Sequence, residues 1–219
     1  MFLSFTIIIL FHELGHIIAA LICKWKIEKI VILPFGGLTI FNQKINHSLN
    51  EELFVTLLGP IFQIIFSFFI SKDMMNIHYS LLLFNMLPIY PLDGSKIVNV
   101  FINEKYPFLK SQKLIILISY ITIILILIIG LIKHLNILFI LILVLILKKV
   151  IQNHTQLKET FNKFLLERYL YKFRYKKTKN ITNIKNMYLN KNHVFKIDNN
   201  YYTEREILSK LFDKWRIMC

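Results

Sequence analysis

The sequence predicts an all-α polytopic membrane protein with about five transmembrane helices, a short membrane-associated β-hairpin and a small α+β C-terminal module in the cytoplasm. Of its 219 residues, 55% are hydrophobic, and the mean hydropathy is +0.53, which exceeds the apolar content of ordinary soluble domains. The apolar residues are concentrated in the first two thirds of the chain, in runs long enough to cross a bilayer. The net charge is +14, and from residue 148 onward 17 Lys and Arg face 6 Asp and Glu, so the tail is cationic.

Five apolar segments are predicted to span the membrane: residues 1–23, 53–71, 77–102, 114–132 and 135–147. The first has no basic leader and no small-residue cleavage site, so we expect it to be retained. The Lys and Arg content of the connecting loops alternates between high and low, which places the N-terminus outside and the tail in the cytoplasm. Cys23 and Cys219 form no disulfide framework and are expected to be free thiols.

The first span contains the sequence HELGH at residues 12–16. On a helix, His12 and His16 share one face, and at ~1.5 Å per residue they lie roughly 17 Å or more from the start, near the middle of a ~30 Å hydrocarbon layer. Ionisable side chains at that depth are costly and usually mark a functional site. Two imidazoles at this spacing can bind one zinc ion, with Glu13 beside them as a general base. The motif therefore suggests hydrolysis within the membrane.

Residues 26–41 form a β-branched run interrupted by one proline and two glycines, which predicts two short strands around a bend. In the second span, Gly59, Pro60 and Gln63 stand in apolar surroundings. Two interpretations stay open for them, a proline kink with a close helix contact or a role in shaping the site.

The third span is interrupted by two prolines and a glycine at residues 85–94. Broken helices are tolerated in lipid only where protein or a water-filled cavity covers the freed backbone groups, so this segment should line a cavity. Asp93 is then the natural third ligand, because catalytic zinc takes three protein groups and leaves one position open. A carboxylate at a helix break can instead be a cap, and this alternative also stays open. Asn85 could hydrogen-bond a substrate carbonyl.

The chain after residue 147 is predicted to form a basic amphipathic linker helix over 148–179, followed by a small module over 180–219. Aromatic, apolar and basic side chains alternate at helical spacing in this linker, among them Phe164, Arg168 and Lys172. In the module we expect strands at 194–197 and 201–202, then a helix with a capping box formed by Thr203 and Glu206.

Three alternatives accompany the metal-site interpretation. His12 and His16 could be satisfied imidazoles buried in a helix bundle. Two His and a carboxylate also describe a non-haem iron centre, although such a centre does not explain Glu13. A transporter or catalytically inactive scaffold could keep broken helices and polar groups at mid-membrane, and it would tolerate Glu13→Gln.

Taken together, these motifs resemble the site-2 protease family of intramembrane zinc metalloproteases, and most closely its sporulation branch. The matching blocks are HELGH at 12–16, LPFGG at 33–37, GP at 59–60, NMLPIYPLDG at 85–94 and FLLERY at 164–169. The resemblance implies that His12, His16 and Asp93 bind zinc and that Glu13 activates water. It implies a substrate-facing loop with Asn85 and Pro88, and a membrane-dipping hairpin around Phe35, Gly36 and Gly37 that receives an unwound substrate.

The resemblance also implies a function and partners. The expected activity is removal of the pro-sequence from a membrane-associated sporulation sigma factor, pro-sigma-K, in the mother-cell membrane around the forespore. Inhibitory membrane proteins are the expected partners besides the lipid bilayer, direct nucleic-acid contact is not expected, and a homo-oligomer is left open. Relatives carry a further helix before the zinc-motif helix. Their C-terminal region is a CBS-like domain linked to ATP sensing, and residues 180–219 look like a shortened form of it.

Overall fold

The computed structural model describes residues 2–33, 36–41, 44–132, 136–198 and 200–216. Their helices are α1 (Phe2–Ile22), α2 (Leu49–Ser67), α3 (Lys72–Asn85), α4 (Asp93–Lys105), α5 (Phe108–Ile132), α6 (Ile137–Thr155), α7 (Leu157–Leu170) and α8 (Glu204–Arg216). Their strands are β1 (Ile27–Leu33), β2 (Gly36–Phe41), β3 (Thr178–Ile181), β4 (Asn192–Ile197) and β5 (Asn200–Thr203). The chain is therefore mostly helical, with a hairpin and a small three-stranded sheet.

Among the described residues, three helices are long and apolar enough to cross a membrane, over Phe5–Ile22, Leu49–Ser67 and Phe108–Gly130. Helices α6 and α7 meet at a bend of 53° and would together make a fourth span. Helix α5 exposes a series of large aliphatic side chains that suit contact with lipid: Leu117, Ile121, Ile124, Leu125, Ile128 and Ile129. These helices make the chain an integral membrane protein, although the predicted number of five spans is not confirmed.

The third predicted span, 77–102, is not one helix. The structure divides it into α3 and α4, with residues 86–92 between them. Pro88 and Pro91 lie in this connection, and because proline has no backbone N–H to donate and its ring clashes with the preceding turn, a continuous helix cannot form here. The break matches the interruption predicted from the sequence.

The connection between α3 and α4 is held by packing against α5. Ile89 and Leu92 are buried in a cluster with α5 and α6 side chains, and the backbone N–H of Tyr90 donates to Oγ of Ser119 at 3.0 Å. Gly94 follows, and a Cβ there would collide with the carbonyl oxygens of the residues at 86 and 87. The non-helical backbone that precedes Asp93 is thus fixed in place by protein contacts.

The β1–β2 hairpin is antiparallel, as the two strands predicted around a bend require. Its register runs from Leu33 opposite Gly36 to Ile27 opposite Phe41, with an irregularity between Ile27 and Lys29. Strand β2 packs along α1, and the two-stranded sheet has no further strand among the described residues. The hairpin therefore lies beside the helix that carries the HELGH motif.

The region predicted as a single linker helix, 148–179, has a different structure. Residues 148–155 continue α6, and α7 ends at Leu170, after which the chain runs to β3. Strand β3 pairs in parallel with β4, and β4 pairs antiparallel with β5. The segment is not one helix, because α7 ends at Leu170 and residues 178–181 form strand β3.

The capping box predicted at the start of α8 is formed. The Thr203 N–H donates to Oε2 of Glu206 at 2.7 Å, and the Glu206 N–H donates to Oγ1 of Thr203 at 3.3 Å.

The C-terminal module shares one hydrophobic core with α7 and with residues of α2, α4 and α5. This core comprises Leu49, Val100, Phe108, Phe164, Leu165, Ile181, Met187, Leu189, Phe195 and Leu208. Phe108 and Phe164 stack with their ring centroids 4.4 Å apart. The apolar side of α7 thus packs against protein, and the C-terminal module packs against α2, α4 and α5.

Arg168 is the polar centre of this contact. Its side chain is only 2% exposed and donates to Oδ1 of Asn46, to the Glu204 carboxylate and to the carbonyl oxygens of residues 188, 189 and 191. Glu167 beside it accepts hydrogen bonds from the backbone and side-chain N–H groups of Asn46. The sequence pattern predicted that Arg168 lies on a basic helix face near lipid, whereas the structure buries it in the protein interior. The guanidinium group has five N–H donors, which lets one arginine bond to all of these carbonyl and carboxylate oxygens.

His193 and Glu204 form a hydrogen-bonded ionisable pair in this module. The Nε2 atom of His193 accepts from the Tyr188 N–H at 2.8 Å, so the ring is neutral, and Nδ1–H donates to Glu204 at 2.7 Å. Burial lowers the pKa of His193 below its ordinary value of 6.5. Burial alone would raise the pKa of Glu204, but the His193 hydrogen bond and the Arg168 charge outweigh it and hold that pKa below 4.5.

Both shifts have the same consequence for stability. A group whose pKa is lower in the folded state binds fewer protons there than in the unfolded state, so stability is lost as the pH falls below the unfolded value. We expect the melting temperature of the module to fall progressively below about pH 6.5 and further below about pH 4.5. Thermal unfolding followed between pH 8 and pH 4 in the full chain would measure this. His193→Gln should flatten the first part of the curve and exposed His154→Gln should not, and an unchanged slope in the His193 variant would contradict the assignment.

Candidate metal centre

Three side chains from two distant parts of the chain meet between α1 and α4. His12 and His16 lie one turn apart on α1, and Asp93 is the first residue of α4. The distances are 2.9 Å from His12 Nε2 to Asp93 Oδ2, 3.1 Å from His16 Nε2 to the same oxygen and 3.1 Å between the two Nε2 atoms. Each residue is at most 6% exposed. The structure thus brings together the three residues that the sequence predicted as metal ligands.

The ring of His16 is oriented by α2. Its Nδ1 lies 2.8 Å from the carbonyl oxygen of Val55. A carbonyl oxygen can only accept, so Nδ1 must carry the proton and, in the neutral ring, Nε2 presents a lone pair. The Nδ1 atom of His12 lies 2.8 Å from Oε1 of Gln63, also on α2.

This arrangement suits a metal cation. Two imidazole lone pairs and a carboxylate oxygen are acceptors, and three acceptors at 2.9–3.1 Å from one another repel unless positive charge lies between them. Ligand atoms about 2.0–2.1 Å from zinc in a tetrahedral site are separated by about 3.3 Å, close to the separations found here. Two His and one Asp also leave a fourth position open. The donor set and its geometry therefore fit zinc.

Glu13 lies beside this cluster. It is 5% exposed, and one ligand atom from each of His12, Glu13 and His16 lies within 4.8 Å of the others. Glu13 follows His12 directly on the helix, so it does not share the face on which His12 and His16 meet. A carboxylate at this position can take a proton from a molecule held by the three clustered side chains.

Lys96 holds the second oxygen of Asp93, a contact that the sequence reasoning missed. Its Nζ donates to Oδ1 at 2.9 Å, which leaves Oδ2 directed at the two histidines. Helix α4 has no side-chain cap, so the Asp93 carboxylate is taken up by Lys96 and the histidines rather than by capping. The available signal was the spacing, because residues three apart share a helix face.

The predicted substrate-contacting residues lie in two segments. Asn85 ends α3 and Pro88 lies in the connection that leads to Asp93, and both are half-buried. Among the described hydrogen bonds of the cluster, none involves the Asn85 side chain. Gly36 and Gly37 begin β2, and Phe35 lies outside the described residues.

The chain is similar to known metalloproteases. Residues 1–74 match the family model of peptidase family M50. Stage IV sporulation protein FB of Bacillus subtilis is 34% identical over 125 residues, covering 51% of this chain and 43% of that protein. A zinc metalloprotease of Methanocaldococcus jannaschii is 30% identical over 127 residues, covering 52% of this chain and 38% of that protein. The aligned region therefore spans less than half the length of either curated relative.

A solved structure agrees with these matches. The site-2 protease from Methanocaldococcus jannaschii superposes with a TM-score of 0.53 at 29% identity, covering 69% of this chain and 76% of that one. The comparisons and the described module give no support for ATP. The sequence matches, the superposition and the clustered His12, His16 and Asp93 agree with one another, and they make the chain similar to peptidase family M50 and to a solved site-2 protease.

Proposed function

We propose that this protein is an intramembrane zinc metalloendopeptidase that hydrolyses a peptide bond of a membrane-associated protein. The observation that carries the proposal is the meeting of His12, His16 and Asp93 in a buried cluster, with Glu13 adjacent to it. In this proposal the first three residues bind zinc and Glu13 is the catalytic base.

The chemistry divides between the metal and the chain. Zinc bound here would lower the pKa of a water molecule to about 7 and polarise the scissile carbonyl. Glu13 takes the proton from the attacking water and returns it to the leaving amine. Lys96 holds Oδ1 of Asp93, which keeps Oδ2 directed at the histidines. The bundle around the cluster limits access of bulk water, which strengthens the charge interactions inside.

The β1–β2 hairpin is the proposed receiving edge for the substrate. A transmembrane helix hides its carbonyls in internal hydrogen bonds, so a substrate must unwind before it can be cut, and pairing with a free strand edge restores those bonds. The two-stranded hairpin packs along α1, and residues 30–40 form the proposed edge, with Phe35, Gly36 and Gly37 in substrate contact. Asn85 and Pro88 are proposed to contact the substrate from the connection before Asp93.

The proposed substrate is the pro-sequence of a sporulation sigma factor of the pro-sigma-K type. The likeness to a stage IV sporulation protein supports this choice. In this proposal the protein lies in the mother-cell membrane around the forespore with its C-terminus in the cytoplasm, where the basic tail attracts an acidic or membrane-bound precursor. Inhibitory membrane partner proteins would hold the enzyme inactive until a signal arrives.

Co-expression with a tagged, membrane-tethered pro-sigma factor tests the proposal. We expect a shortened precursor on a gel only when this protein is present, and purified protein should contain about one zinc per chain, since a three-ligand site holds one ion. Iron in place of zinc, with oxygen-dependent turnover, would overturn the protease assignment in favour of an oxygenase. Zinc without cleavage of this precursor would overturn the proposed substrate, and a second tethered precursor would then be tried.

A further inference from the structure

Helix α2 supplies a hydrogen-bond acceptor to each of the two histidines, and one of these acceptors is a side chain. We propose that Gln63 is a positioning residue that fixes the His12 ring with its proton on Nδ1 and its Nε2 lone pair directed at Asp93. This inference rests on the proposed binding of zinc by His12, His16 and Asp93. Gln63 hydrogen-bonds to His12, a proposed zinc ligand, and is not itself proposed to bind the metal.

The orientation of the Gln63 amide is determined by its other partner. Its Nε2 donates to the backbone carbonyl oxygen of His78 on α3 at 3.0 Å. Because that oxygen can only accept, the amino group of Gln63 must face His78, and Oε1 must face His12. The 2.8 Å contact between Oε1 and His12 Nδ1 therefore requires the proton to be on Nδ1.

Burial makes this arrangement specific. Gln63 is 0% exposed, and an amide removed from water without hydrogen bonds is costly. Both ends of the amide are paired here, so the favourable arrangement is the one that directs Oε1 to His12. A flipped amide would place Oε1 against the His78 carbonyl oxygen, so that two acceptors would face each other. Gln63 thus links the α3 backbone to the His12 imidazole through one hydrogen bond at each end of its amide.

The two histidines differ in how they are held. His16 Nδ1 bonds to the backbone oxygen of Val55, which side-chain substitution does not remove. His12 Nδ1 bonds to a side chain, so the Gln63 contact can be deleted by one substitution. Partners of this kind set the tautomer and the ring orientation of metal-bound histidines, and their loss typically lowers metal affinity about 10–100-fold.

Three variants of the full-length protein test the inference. Gln63→Leu keeps the approximate size and removes both polar contacts. Gln63→Glu keeps an acceptor oxygen for His12 and removes the donor to His78. Gln112→Leu is the matched control, since Gln112 lies on α5 and contacts Asn99. The readouts are the zinc dissociation constant, from competition with a chromophoric chelator, and the melting temperature of the metal-free protein.

We expect Gln63→Leu to weaken zinc binding about 10–100-fold, Gln63→Glu to recover most of the affinity and Gln112→Leu to match the parent. If Gln63→Leu also lowers the melting temperature, recovery of affinity in Gln63→Glu still separates positioning from packing. Equal losses in both Gln63 variants, or an unchanged affinity in Gln63→Leu, would overturn the positioning role and leave the proposed function intact. A parent protein that binds no zinc would overturn the metal site and this inference with it.

Discussion

Replacing Glu13 with Gln is expected to lower the rate of substrate cleavage by about 10²–10⁴-fold, the usual contribution of a general base. The amide occupies nearly the same volume but cannot take a proton from water. Zinc content should not change, because the three clustered side chains that would bind the ion are His12, His16 and Asp93. Single-turnover cleavage of a tethered precursor and metal analysis of the same preparation measure the two effects separately.

Glu159→Gln is the control for this experiment. Glu159 lies on α7 and is exposed, so its substitution removes the same charge outside the cluster and should leave cleavage unchanged. If Glu13→Gln cleaves as fast as the parent, Glu13 is not the base. If Glu13→Gln loses zinc, Glu13 contributes to metal binding instead.

Gly59→Ala is expected to remove zinc binding and cleavage together. A Cβ at this position on α2 would overlap Cε1 and Nε2 of the His16 ring. Either the ring would leave its position or α1 would move away from α2. The two backbones are in close contact here, since a Cβ at Gly15 would likewise overlap the backbone of Leu58 and Gly59. Since a proposed ligand is itself displaced, the loss of zinc affinity should exceed the loss of about 10–100-fold that is typical when only a hydrogen-bond partner of a ligand is removed.

Ser67→Ala, at the end of the same helix, is the matched control. Its hydroxyl bonds only to the Ile64 carbonyl among the described contacts, so we expect zinc affinity and cleavage at the level of the parent. Chelator competition and the precursor assay measure both variants. Gly59→Ala protein that binds zinc normally would show that the α1–α2 contact relaxes without moving His16.

Much of the site follows from spacing in the sequence. His12 and His16 meet because residues four apart share a helix face, and the prolines before Asp93 indicated a broken helix at a cavity. What spacing does not give is which helix packs against that face. Gln63 therefore stayed ambiguous, because its two hydrogen bonds cross to α1 and α3, and Val55 gave no signal, because it acts through its backbone oxygen.

The tail shows a different limit of sequence reasoning. Arg168, Lys172 and their neighbours follow helical spacing, which is also the pattern of a helix on a lipid surface. The structure ends α7 at Leu170 and buries Arg168 among acceptors that lie up to 122 residues away. Charge and periodicity describe a helix face but not its partner, so a buried arginine and a lipid-facing one look alike in sequence.

The contact between Arg168 and Asn46 also orders events during synthesis. It joins residues 122 positions apart, and Asn46 lies in the connection between the hairpin and α2, the helix that orients both histidines. A ribosome must therefore complete most of the chain before this connection reaches its final anchoring. A nascent chain that has inserted only its first helices carries the HELGH motif but lacks this restraint, so a segment made late in synthesis fixes the position of one made early.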